Sequence, residues 1–437
     1  MFSFSLFNPI VLIVGMIAFV MILIRPFVGI VILLVLLWLT PFYPTSDGAT
    51  LNRLVGLIVL AAVLLPKVFN RGNRKSTFVF SSFDPPFAFF MFVVILTMLI
   101  NMINISPNFP FERVSDLITG YLLYWLIVNV VDNWSQLRAL FWLTIICALG
   151  LSIPTISLGM SASEFSMERI SIEGNPNYYA FVFLLAILLS VWLLEHVNKP
   201  QKVILYLVIL VLLTSIYFTG NRSSIMSLAV VVLLYGLLLR GAGIRNYLIP
   251  VGLIALASFW IVSQFTPILA SRSLQFYSSE NGIITNDAIR LQIYNGAFLI
   301  IAKYPFFGVG IGNATEFMKT YTGMRVSPHN LFLGVAIEAG IAGITSLLLM
   351  YYFVIKDLLK SVFATKRNSL DAKPDETMVK DVFHAIILII GVNIIPNLTH
   401  GITLSRTWFV VFAFAVLTIR FITQGQKKTT IEDTLLT

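Results

Sequence analysis

Four residues of this 437-residue chain can exchange a proton near neutral pH without a perturbed environment: His196, His329, His384 and His400. His329 stands in Ser327-Pro328-His329-Asn330, just ahead of a long apolar run. Ser327 suits a helix N-cap and Pro328 the first helical position. That arrangement puts His329 in the first turn, where the positive end of the helix dipole disfavours imidazolium. A neutral imidazole at a water–lipid boundary is a candidate general base. The plainer reading is an interfacial histidine bonded to a loop carbonyl, and His400 shares it in a weaker context.

Arginines form the second group. Arg222 lies in Thr219-Gly220-Asn221-Arg222-Ser223-Ser224, a tight turn between two apolar runs. Arg290 opens a helix-spaced segment, Asn286 to Tyr304, and shares its first turns with Asp287. A planar guanidinium fork suits a two-point grip on phosphate oxygens, whereas lysine is a point charge. Any one of these arginines taken alone reads as a snorkelling side chain or a surface ion pair. Several arginines and a histidine converging on one membrane surface read as an anion site.

Other signals are structural or open. Glu338 is ~13 Å beyond His329 along a regular helix, too far to orient the imidazole; it reads as a buried structural carboxylate or an acceptor-site group. Gly308, Gly310 and Gly312 have neither a preceding strand nor a P-loop Lys-Ser/Thr, so they read as a packing turn. The spacings Ala336/Gly340 and Ala339/Gly343 suggest close helix packing. No His/Asp/Glu cluster has metal spacing, and Cys147 is the single cysteine. A reaction without metal or other cofactor is therefore expected.

The elements that must position these residues are membrane helices. Hydrophobic residues make up 58% of the chain and charged residues 11%, with mean hydropathy +0.91. A soluble enzyme, a disordered chain and a secreted scaffold are excluded by that balance. The apolar runs are helix-length and lack ten-residue alternation, which argues against a β-barrel. The expected fold is an all-α polytopic membrane protein, one integral membrane domain over 1–437 with about 12 transmembrane helices. The first stretch, Ile10 to Leu39, is broken by Arg25-Pro26 and reads as two short spans or one broken helix. Later spans fall near Leu51–Pro66, Pro86–Asn104, Leu117–Val131, Ala139–Leu158, Tyr178–Val197, Val203–Thr219, Ser223–Leu239, Leu248–Phe265, Asn330–Ile355, Val382–Pro396 and Thr407–Thr423.

Lysine and arginine set the orientation. Alternate crossing collects Lys67, Arg71, Arg74, Lys75, Lys199, Lys202, Arg240, Arg245 and the basic segment from Lys356 to Lys380 on one side, the cytoplasmic one. The net charge of +9 then lies wholly on that side and is a topology signal, with no nucleic-acid partner implied. Eight of the ten basic residues on the opposite side are arginine. That outer (periplasmic) side also carries a long loop, 266–328, expected to be helical and to hold part of the active site. A signal peptide is not expected, because the first apolar run lacks a basic lead and a small-residue cleavage site.

Four motifs resemble the O-antigen ligase and polymerase superfamily of bacterial cell-envelope glycosyltransferases. Ser327-Pro328-His329-Asn330-Leu331-Phe332-Leu333, continuing to Glu338-Ala339-Gly340-Ile341-Ala342-Gly343, is similar to its His-Asn motif and Glu-x-Gly-x-x-Gly helix. Arg290-Leu291-Gln292-Ile293-Tyr294, through Lys303-Tyr304-Pro305 to Gly308-Val309-Gly310, is similar to its loop arginine, helix and Pro-x-x-Gly-x-Gly turn. Gly220-Asn221-Arg222-Ser223-Ser224 resembles its Ser-Arg-Ser/Gly turn, with Asn221 in place of the commoner serine. Asn175-Pro176-Asn177-Tyr178 resembles its Pro-Asn segment at the start of a span. The motifs run from about residue 174 to 343, and the first 170 residues match in pattern only.

The resemblance implies transfer of a glycan from a polyprenyl (undecaprenyl) diphosphate donor to an acceptor hydroxyl, on lipid A-core or similar, at the outer face of the bacterial cytoplasmic membrane. It implies Arg222 and Arg290 at the diphosphate and His329 as base, with Asn330, Glu338 and Arg325 in support. The chemistry is metal-independent and inverting, and the partners are the lipid-linked donor, the acceptor and membrane lipids. A polymerase of the same superfamily is the near alternative. A lipid-linked glycan flippase is the alternative of another class, although flippases and other transporters usually show internal repeats and broken helices at the midplane.

Overall fold

The computed structural model describes residues 9–42, 45–69, 78–104, 111–161, 176–238, 250–255, 257–258, 260, 286–367, 376–398 and 404–436. Among them there is no strand. The helices are α1 Pro9–Ile24, α2 Pro26–Trp38, α3 Thr45–Phe69, α4 Asp84–Asn104, α5 Phe111–Val130, α6 Trp134–Ser161, α7 Pro176–Leu193, α8 Lys199–Thr219 and α9 Arg222–Leu238. They continue with α10 Asn286–Lys303, α11 Ala314–Thr322, α12 Leu331–Arg367, α13 Glu376–Leu388 and α14 Arg406–Leu436.

Six of these segments are long and apolar enough to cross a membrane: Trp134–Ser161, Pro176–Leu193, Lys199–Thr219, Leu331–Val362, Glu376–Leu398 and Arg406–Gly425. Shorter apolar helices occupy Ile13–Ile24, Pro26–Trp38, Leu51–Pro66, Asp84–Ile100 and Arg222–Leu238. The first apolar stretch is two helices, because Pro26 starts α2 and Arg25 leaves helical geometry at φ −135°. The span expected at Leu248–Phe265 falls largely outside the described residues, although 250–255 are helical.

Burial sorts the helices into inner and outer positions. α7 is buried on every face from Tyr179 to Leu189, and α14 from Thr407 to Thr418. A helix apolar all round belongs in the interior, and these two form the centre. Around them α7 packs on α6 and α8, α14 on α5 and α12, and α4 on α12. α1 instead turns Ile13, Val14, Met16, Ile17 and Ile24 outward, as do α3, α4 and α8 with Leu57, Phe92 and Leu207. Apolar side chains exposed on so many helices suit a lipid surround.

A second, small core lies in the segment read as the outer loop. Ile293, Ala297 and Ile300 of α10 pack with Val309, with Ala314 and Met318 of α11, and with Ile337 of α12. The expected loop helix, Asn286 to Tyr304, is thus present as α10, and a second short helix, α11, follows it. Their common core docks them on the start of α12. The part of that loop before Asn286 lies outside the described residues.

At the far end of α7 lies a polar anchor. Asp381 Oδ1 accepts hydrogen bonds from Trp192 Nε1 at 2.7 Å and pairs with His196 Nε2 at 2.8 Å. His384 stacks on Trp192 and pairs through Nδ1 with the Tyr235 hydroxyl at 2.7 Å. These two histidines tie α7, α9 and α13 together and lie away from the site described next.

Candidate active site

The arginine turn is built by two adjoining caps. α8 ends on Gly220, which takes the left-handed conformation at φ 59°. Asn221 then caps α9 by accepting from Ser224 N at 2.9 Å and from the Ser223 hydroxyl at 2.7 Å. Arg222 is therefore the first residue of α9 and is half-buried. Asn221 Nδ2 donates to Asn177 Oδ1 in the first turn of α7 at 2.7 Å. The Pro-Asn and Asn-Arg-Ser segments, read separately in the sequence, thus form one hydrogen-bonded unit.

The histidine is held differently from the sequence expectation. Asn330, not Ser327, is the N-cap of α12: its Oδ1 accepts from Leu333 N at 3.1 Å. Pro328 lies outside the helix, and His329 precedes the cap with φ 48°. Among the described non-glycine residues His329 alone has positive φ, a conformation uncommon outside glycine although histidine adopts it more readily than most. Its own N–H meets Ser327 Oγ at 3.4 Å. Asn330 wins the cap because its short amide reaches the N–H three residues on while its Nδ2 donates to Leu398 O at 3.0 Å. Leu398 ends a 3-10 turn, Pro396–Leu398, that follows a π-helical segment, Ile389–Ile394. α9 packs on that 3-10 turn, so the Arg222 helix and the His329 cap share a neighbour.

The surroundings of the imidazole favour its neutral form. His329 is surface-accessible, yet the packing around its ring and then the positive charge of Arg290 hold its pKa below the ordinary histidine value. Arg290 is exposed in the second turn of α10. The fold thus brings the two ends of the Arg290-to-His329 segment together, 39 residues apart in sequence.

The glycine turn and the helix after His329 are one structure. α12 breaks at Gly340, which has φ 63° and ψ −160°. The break frees the carbonyls of Ile337 and Glu338 and the N–H of Ile341 from helix bonds. Val309 N donates to Ile337 O at 2.8 Å, Gly310 N to Glu338 O at 2.9 Å, and Ile341 N to Pro305 O at 2.8 Å. Gly340 is therefore a break filled by the loop, and not the helix-contact residue its spacing suggested. Glu338 makes structural contacts: its carboxylate accepts from Gly312 N at 3.0 Å and from Ala314 N, at the start of α11. Arg113 of α5 stands within electrostatic reach of it. Arg325 pairs with Glu316 of α11 on the exposed face of the loop and is not drawn toward His329. His400 lies outside the described residues, and no group of three or more His, Cys, Asp or Glu with metal-holding geometry occurs among those described.

The links through Asn177, Leu398 and Arg113 escaped sequence reading. An asparagine at each of two span ends, Asn177 and Asn221, was the one signal available for the first.

These features define an all-α integral membrane protein with a helical loop docked at one end, where arginine and histidine motifs meet. A family model described as O-antigen ligase (Wzy_C) matches residues 205–348, the stretch that holds Arg222, Arg290, the glycine turn, His329 and Gly340. The chain is also 24% identical over 308 residues to a protein named O-antigen ligase from Salmonella typhimurium. That alignment covers 64% of this chain and 73% of the relative. The resemblance to the O-antigen ligase and polymerase superfamily holds in both comparisons.

Proposed function

We propose that this protein is an O-antigen ligase-like glycosyltransferase of the bacterial inner membrane, with its site on the periplasmic side and about 12 crossings. It moves a glycan from a polyprenyl diphosphate to an acceptor hydroxyl on lipid A-core or a similar lipid. The observation that supports this reading best is the positive charge of Arg290 acting on a His329 whose pKa is held down. A base needs a free ring nitrogen, and a diphosphate leaving group needs a cation; here the same cation favours the neutral ring.

The step balances without a cofactor. The acceptor oxygen attacks the anomeric carbon as its proton passes to the His329 ring. The bond from that carbon to the diphosphate oxygen breaks, and Arg222 and Arg290 take up the charge that develops there. Attack opposite the leaving group inverts the carbon. Asn330 holds the backbone of His329 through its cap, and Glu338 holds the loop that carries Arg290.

Purified protein incubated with a polyprenyl diphosphate-linked glycan and separate candidate acceptors tests the reading. Glycan on lipid A-core is the expected product, whereas glycan on a second lipid-linked sugar would make the protein a polymerase. His329→Ala and Arg290→Ala should abolish transfer while the proteins still insert in membranes. Normal transfer by His329→Ala would sink the proposed base. Full activity in EDTA is expected, and rescue only by a divalent ion would oppose the metal-independent step.

A further inference from the structure

A second cleft, separate from the His329 site, opens between α2, α3, α5 and the start of α14. It has a volume of about 370 Å³. Leu33 of α2, Leu57 of α3 and Leu126 of α5 belong to its apolar body. Its lining on α5 runs from Phe111 to Leu126, ~22 Å by helical rise, against a hydrocarbon core ~30 Å thick. Polar groups gather toward one end, where Arg53, Arg406 and Asn52 line it.

Both arginines have capacity to spare. Arg406 reaches Asp116 at 3.6 Å, a long contact to a carboxylate that is 59% exposed, so most of its guanidinium donors stay available. Arg53 is exposed and has no ion pair among the described residues.

The cleft stands beside the arginine turn without being part of it. The first turn of α7 forms the partition. Tyr178 Oη donates to Leu37 O at 2.8 Å on the cleft side, and Asn177 accepts from Asn221 on the other.

The geometry points to a binding site for a phosphate-bearing lipid, its chain between α2, α3 and α5 and its phosphate on Arg53 and Arg406. The apolar body selects a lipid over a soluble phosphate, because a soluble anion would leave it uncovered. Two arginines at the mouth select an anionic headgroup over a zwitterionic one. The assignment does not depend on the transfer chemistry proposed above, since none of the residues assigned to that chemistry lines the cleft.

The test uses the purified full-length protein in detergent, offered equal amounts of phosphatidylglycerol and phosphatidylcholine with the same acyl chains, and reads retained lipid by native mass spectrometry. Phosphatidylglycerol, which has net charge and free hydroxyls, should be retained about tenfold over phosphatidylcholine. Arg53→Gln with Arg406→Gln should erase the preference; where the double variant does not fold, Arg53→Gln alone should reduce it. Gly56→Phe probes the body of the cleft, because Gly56 lines it and a Cβ there meets nothing within 4 Å. That variant should fold with an unchanged melting temperature and retain less phosphatidylglycerol. Equal retention of the two lipids by the wild-type protein would overturn the site. So would undiminished retention by folded Gly56→Phe, or a preference that survives the arginine substitutions.

Discussion

Gly308 and Gly340 lie back to back, each at φ 63° and each with room for no side chain. A Cβ on Gly308 would stand 2.3 Å from Ile337 O, and one on Gly340 would stand 2.3 Å from Phe306 O. The approach lets the loop carrying Arg290 bond into the break of the helix that begins beside His329. A long loop is thereby held against a membrane helix by backbone hydrogen bonds.

Gly340→Ala should therefore do more than restore a helix. It adds the strain of a left-handed alanine to a collision with backbone, together about 2–4 kcal/mol or more. Thermal unfolding in detergent should show a clear drop, and transfer should fall with it. Gly236→Ala is the control, because a Cβ there meets nothing within 4 Å.

The proton chemistry of His329 has a definite sign. Its pKa lies below the ordinary histidine value of 6.5, so the neutral imidazole is retained as pH falls through 6.5 and is lost only at lower pH. The acid limb of the transfer rate should lie below 6.5. Ring NMR of His329 should titrate with the same midpoint, and Arg290→Gln should raise that midpoint by removing a like charge. A wild-type midpoint at or above 6.5 would contradict this account.

Asn221 joins two motifs and caps a helix. Asn221→Ala should lower stability by about 1–2 kcal/mol for the cap alone. Asn177→Ala should cost less. A double-mutant cycle read by thermal unfolding should give a coupling above about 0.5 kcal/mol if the 2.7 Å bond ties α7 to the arginine turn.

Glu338 separates a structural role from a chemical one. Its Oε1 accepts the Gly312 N–H, and an amide oxygen can do the same. Glu338→Gln should keep most transfer activity, while Glu338→Ala should loosen the glycine turn and lower activity about tenfold or more. Equal loss in both variants would assign the carboxylate to the chemistry itself.

Much of this arrangement was legible in the residues. The helix-length apolar runs mark the spans because hydrocarbon leaves a chain few ways to satisfy its backbone. The breaks at Pro26, Gly220 and Pro305 follow from the backbone geometry of those residues. Helix α10 stands where the helical spacing of Asn286 to Tyr304 puts it. Misreadings arose where two local rules competed. Ser327-Pro328 and Asn330 are both good helix starts, and the tie was broken by Leu398, a carbonyl 68 residues away.

By itself, then, the sequence determined the class of fold, a helix in the loop and the residue types able to hold an anion, because these follow from local composition and spacing. Tertiary structure decided which groups meet. The pairing of Gly308 with Gly340, the Asn177–Asn221 bond and the charge of Arg290 on His329 all depend on contacts between distant segments. Such contacts are set by how whole helices pack, and no local pattern of residues encodes that packing.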